Sequence, residues 1–180
     1  MMKRLFLPFF LFLFLVSEGV ALELLPPSLI TGNLLIVPHW VFMFLVLIAI
    51  FYDKEDTYYS VLYGFIFGLL IDIVYTGVLG VYMFSYALVI YVIHGLKKML
   101  HGNVFVSILL GIVGLSLADI AINVIYTVAG IASMVWKDYL LYRLLPTLLL
   151  NLVFLLFLYP IFVKRLTRWG RDQLFSNNSL

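Results

Sequence analysis

Between Leu5 and Val163, charged residues occur only singly or in short clusters, and the chain between them is almost continuously apolar. A soluble fold of this size has no interior large enough for it. Of 180 residues, 65% are hydrophobic and 11% charged, with a mean hydropathy of +1.16. A soluble domain sits nearer half apolar and a quarter charged. The runs are also too long and continuous for the alternating strands, of roughly 10 residues each, that build an outer-membrane barrel. What remains is an all-α membrane protein. With no cysteine, disulfide frameworks, thiolate catalysis and Cys-based metal sites are excluded. The formal net charge of +2 offers no basic field for nucleic acid.

Six apolar runs are predicted to cross the bilayer: residues 5–24, 34–52, 58–74, 78–95, 104–128 and 139–163. Runs of about 17 to 25 residues suit the hydrocarbon thickness. Together they form one polytopic domain, followed by a basic tail at 164–180. With the N-terminus inside, Lys3, Arg4, Lys54, Lys97, Lys98, Lys164, Arg165, Arg168 and Arg171 all face the cytoplasm. Those are nine of the eleven Lys and Arg residues. The positive-inside rule therefore places both termini in the cytoplasm. Gly19-Val20-Ala21 also fits a small-x-small cleavage site, so a signal peptide is the alternative for the first run. Glu18 in that region and the five further spans favour a retained helix.

The stretch Tyr63–Tyr82 carries Gly64, Gly68 and Asp72 at steps of four, which a helix stacks on one face. Small residues at that spacing admit a second helix closely in lipid. That helix is either the protein's own or a partner's. Thr76-Gly77 and Gly80 then predict a tight turn before the next run. A weak echo follows: Gly68-Leu69-x-x-Asp72-Ile73 resembles Gly114-Leu115-x-x-x-Asp119-Ile120.

Counting from the outer ends of these spans puts Glu18, His39, Asp72, Asp119, Asn123 and Arg143 in one outer layer. Ionisable groups at that depth pair with each other or line a wet cavity. Two readings stand: a polar network tying helices together, or a small outward-facing ligand pocket. Matching depth pairs Arg143 with an acid, Asp72 first. Asn151 is expected to bond between helices, and His94 to be a satisfied interface histidine. No HExxH, GxSxG or phosphate-binding glycine loop is present, and Asp72 and Asp119 lack the settings of intramembrane aspartyl proteases. No enzyme, cofactor or metal site is expected.

Three segments carry a family resemblance. GFIFGLLIDIVYTGVLGVYMFSYALVIYVI (Gly64 to Ile93), MKRLFLPFFLFLFLVSEG (Met2 to Gly19) and RLLPTLLLNLVFLLFLYPIF (Arg143 to Phe162) resemble the MreD family of rod shape-determining membrane proteins. The order and spacing of these apolar motifs make the likeness, which covers nearly the whole chain. It implies a non-enzymatic component of the bacterial cell-elongation complex, multi-pass in the cell membrane. Such a protein assembles with MreC, RodA, a class B penicillin-binding protein and MreB to maintain cell shape. On that reading Gly64 and Gly68 are candidates for receiving the membrane helix of MreC. The six-span layout is also similar to the substrate-binding subunits of energy-coupling-factor transporters. The alternative function is therefore small-molecule (vitamin) binding for transport, although the Ala-x-x-x-Ala motif of those subunits is missing from the first helix.

Overall fold

The computed structural model describes residues 2–24 and 34–177. Among these the fold is entirely helical. Helices α1 (Met2–Leu24), α2 (Trp40–Phe51) and α3 (Tyr59–Ile71) come first, and α3 continues as a π-helical turn, Asp72–Thr76. Then follow α4 (Val81–Lys97) and α5 (Val104–Val128). The last element, α6, opens with one turn at Trp136–Asp138 and passes through a π-helical stretch, Tyr139–Leu144. It then runs as an α-helix over Leu145–Asn177. Four of these helical segments are long and apolar enough to cross a membrane: α1, α3 with its π-turn, α5 and α6. Helices α2 and α4 are shorter but also apolar.

The core is organised on α2, which packs against each of the other five helices. Every residue from Val41 to Ala49 is buried, as expected of a helix that is hydrophobic on all sides. At about 1.5 Å per residue α2 is only about 18 Å long, against a hydrocarbon layer of about 30 Å. A helix that short does not span the layer by itself, and the N–H and C=O groups at an end left in apolar surroundings need partners. This span was expected to start near Leu34, but residues 34–39 are not helical. The cause is Pro38, which lacks an N–H and disfavours helical backbone at Val37 before it. Residues 25–33, between the first two predicted spans, lie outside the described residues.

The α3–α4 connection turns as its glycines dictate. Gly77 (φ 67°) and Gly80 (φ 98°) are left-handed, a conformation that costs little only without a Cβ. The basic tail is not a separate element, because α6 carries straight through it to Asn177. Leu166 and Gly170 are buried on one side of this extension, while Lys164, Arg165, Arg168 and Arg171 are exposed on the other. A Cβ on Gly170 would come within 2.9 Å of the Tyr52 carbonyl oxygen, so only glycine lets α6 lie against the end of α2. Trp169 stacks on Phe6 near the start of α1. The C-terminal ends of α2, α4 and α6 and the N-terminal end of α1 thus share one end of the molecule.

Candidate functional site

The polar groups predicted for one layer divide into two caps and a network. The first cap belongs to α2. Glu18 on α1 is 4% exposed, and its Oε1 accepts the Val41 N–H at 2.8 Å. A carboxylate at a helix N-terminus satisfies otherwise orphaned donors and complements the helix dipole. At the other end of α2, Lys97 Nζ donates to the carbonyls of Ala49 (2.6 Å) and Asp53 (2.7 Å). The central helix therefore has an acid from α1 at its positive end and a base from α4 at its negative end. Lys97, read from sequence as a loop cation, is part of this cap.

The second cap belongs to α4. Asp72 is fully buried and accepts three backbone N–H groups: Gly80 (2.9 Å), Tyr82 (2.9 Å) and Met83 (3.1 Å). This corrects the expected Asp72–Arg143 pair. The glycine turn is so short that the start of α4 falls directly on the carboxylate. Arg143 instead lies 3.4 Å from Asp119.

The network centres on Asp119, which is fully buried on α5. Its Oδ2 accepts the Tyr139 hydroxyl at 2.6 Å, and its Oδ1 faces Arg143 at 3.4 Å and His39 Nε2 at 3.6 Å. His39 Nδ1 lies 2.7 Å from the Tyr86 hydroxyl. With the ring proton on Nε2, toward the carboxylate, Nδ1 accepts from Tyr86. The chain Tyr86–His39–Asp119–Tyr139/Arg143 thus joins α4, the start of α2, α5 and α6. Neither tyrosine was singled out from sequence, because nothing in an apolar run tells a bonding hydroxyl from an interfacial ring.

A further set holds the non-helical segment before α2. The His39 N–H donates to Asn151 Oδ1 at 2.7 Å, and Asn151 Nδ2 donates to the Val37 carbonyl at 2.9 Å. The Val37 N–H donates to Thr147 Oγ1 at 3.2 Å, and the Leu35 N–H to the Tyr142 carbonyl at 2.8 Å. Asn151 was expected to bridge helices and instead serves non-helical backbone. Irregular backbone inside a membrane protein needs such partners.

Gly64 and Gly68 face α4 of the same chain. A Cβ on Gly68 would sit 2.7 Å from Met83 Cα and the Tyr82 carbonyl oxygen, and one on Gly64 would meet Ala87 at 3.5 Å. Helices α3 and α4 form the most extensive helix pair in the fold. Of the two occupants these glycines admit, the helix seen in the groove is the protein's own α4.

At the far end, the α5–α6 connection and the start of α6 enclose an open cleft of about 890 Å³, with Asn123, Asp138, Tyr142 and Arg143 among its lining residues. Asn123 lines this cleft and is not among the partners of Asp119, which are Tyr139, Arg143 and His39. At the basic end, Asp53 Oδ2 accepts the Ser60 N–H (2.9 Å) and hydroxyl (2.5 Å), with His94 Nδ1 3.8 Å away. Burial pushes the Asp53 carboxyl up to about 6 and lowers Lys97 to about 8. Among the described residues no group of three or more His, Asp or Glu side chains is arranged to hold a metal ion.

Comparison with known proteins places this arrangement. The family model described as rod shape-determining protein MreD matches residues 3–168. The chain is similar to the rod shape-determining protein MreD of Bacillus subtilis (strain 168), with 33% identity over 181 residues, covering 96% of this chain and 100% of that protein. No solved structure matches it. A match that runs from the first turn of α1 to the basic end of α6 takes in every helix that supplies a cap or a network residue, and the chain belongs to the MreD family of rod shape-determining membrane proteins.

Proposed function

We propose that the protein is a non-enzymatic scaffold of the bacterial cell-elongation complex. It sits in the cell membrane as six spans with both termini cytoplasmic, and holds MreC together with RodA, a class B penicillin-binding protein and MreB. The observation that carries this reading is the family match across nearly the whole chain. The interior agrees with it: the buried acids Glu18, Asp72 and Asp119 are engaged in holding this chain's own helices in place. The shared end of α1, α2, α4 and α6 gathers Lys54, Lys97, Lys98 and the α6 cations, which supports a cytoplasmic assignment for it.

Because α4 fills the Gly64/Gly68 groove, a partner helix has to use an outward face. That of α1 is one such apolar face, with Leu5, Phe9, Phe12 and Val16 all exposed. Two experiments test the reading. Depletion is expected to turn rods into spheres, and an affinity-tagged copy is expected to bring down MreC and RodA. Cells that stay rod-shaped while the tag recovers a paired ATPase or a bound vitamin would favour the energy-coupling-factor alternative, to which the open cleft lends its one observation. Site-directed crosslinking from Phe9 and Phe12 locates the MreC contact, and capture from positions on α3 alone would move it off α1.

A further inference from the structure

The cleft beside Arg143 has a function of its own to explain, independent of the scaffold reading. Donors and acceptors around it are unequally used. Both oxygens of Asp119 are engaged, one by the Tyr139 hydroxyl and the other by Arg143 and His39. The Arg143 guanidinium, with five N–H donors, makes one bond at 3.4 Å, and its Nε is buried with no partner. A planar guanidinium with unused donors is matched in shape to a phosphate or carboxylate. Asn123 lines the same cleft and adds an amide.

Two further features narrow the ligand. Asp138 is exposed and lines the cleft, so the site pairs one cationic group with one anionic group. A ligand that is only anionic is opposed by Asp138; one that carries an amine a short distance from its anion suits both charges. The remaining walls include Leu35, Met134 and Tyr142, and the surface around the cleft exposes Val128, Ile131, Val135 and Trp136. Apolar residues with a tryptophan mark the level where acyl chains meet headgroups. The volume suits a small amphiphile's polar end. We propose that this cleft binds the headgroup of a zwitterionic phospholipid, its phosphate on Arg143 and Asn123 and its amine at Asp138.

Native mass spectrometry of the full-length chain, released from a neutral detergent, tests this. The added probes are phosphatidylethanolamine, phosphatidylglycerol, diacylglycerol and inorganic phosphate. One phosphatidylethanolamine is expected per chain, retained about tenfold better than diacylglycerol. Arg143→Gln is expected to remove that advantage, and Ala132→Trp, which fills the cleft without touching the ion pair, to abolish retention. Asp138→Asn is expected to erase the preference for ethanolamine over glycerol headgroups while keeping the phosphate requirement. Should Arg143→Gln fail to fold, the other two variants decide. Equal retention of diacylglycerol, or retention unchanged by Ala132→Trp, overturns the site. Displacement by inorganic phosphate alone overturns the lipid as its occupant.

Discussion

The α3–α4 and α5–α6 pairs begin alike in sequence and finish differently. Each has a glycine, a leucine and, four or five residues after the glycine, a buried aspartate: Gly68 and Asp72 in the first, Gly114 and Asp119 in the second. After Asp72 the chain turns within a few residues, and three N–H groups of the returning helix close on the carboxylate. After Asp119 the helix continues to Val128, and α6 begins only at Trp136. The returning backbone is then out of reach, and side chains satisfy the acid: Tyr139, Arg143 and His39. Connection length decides whether a membrane acid becomes a helix cap or the centre of a network. The longer connection also leaves the cleft.

The strongest way to break this comparison is to remove the acid that acts as a cap. Asp72→Leu strips three N–H groups of a charged acceptor and is expected to cost about 3 kcal/mol. Asp72→Asn keeps an acceptor and is expected to cost about 1 kcal/mol. Thermal midpoints in detergent measure both, and equal losses would mean the cap is not the source of the stability. The glycines give the next contrast. A Cβ at Gly68 meets the backbone of Met83 and Tyr82, which yields only if α3 and α4 separate. Gly68→Ala is expected to cost about 2 kcal/mol. At Gly114 the added Cβ meets the Cδ1 end of Ile93, a side chain that can turn aside. There the overpacking of about 1 kcal/mol is offset by a similar gain in helix propensity. A Gly114→Ala loss as large as that of Gly68→Ala would sink the distinction between backbone and side-chain contact.

Much of this was legible in the sequence, and the gaps have physical causes. Apolar runs and the Gly77/Gly80 turn fix where helices start and stop, because they are local signals. Pro38 was visible too, yet a hydrophobicity count runs across it, so α2 was read too long. Depth counting brought Glu18, His39, Asp72, Asp119 and Arg143 to one level, but depth carries no angle around the bundle. It therefore did not tell which acid Arg143 meets, nor that Glu18 and Asp72 turn toward helix ends. The partner of Gly64 and Gly68 was open for the same reason: a small-residue face says that a helix arrives, not whose it is.

A double-mutant cycle sharpens the correction directly. Asp119→Asn with Arg143→Gln is expected to show a coupling of about 1 kcal/mol. Asp72→Asn with Arg143→Gln is expected to be additive within about 0.3 kcal/mol. Coupling to Asp72 of the same size as that to Asp119 would restore the pairing first inferred from depth.

The smallest effect comes from a third acid. Asp53 resembles Asp72 in accepting a nearby backbone N–H, that of Ser60, after a short connection, but it lies at the basic end outside the predicted spans. Burial raises its carboxyl from 3.8 to about 6. As pH rises from about 4 to about 6, the unfolded chain loses this proton before the folded one does. Stability contributed by the neutral carboxyl is therefore present at about pH 4 and is lost by about pH 6, with no further change above. Lys97, lowered from 10.5 to about 8 by burial, acts in the opposite sense. Between about 8 and 10.5 the unfolded chain holds the extra proton, so stability rises with pH there. Together the two groups give a shallow minimum between about pH 6 and 8. Asp53→Asn, which still accepts from Ser60 but does not ionise, is expected to remove the acid-side slope and leave the alkaline one. Midpoints recorded from pH 4 to 10 check this, and an acid slope that survives Asp53→Asn would assign it to another group.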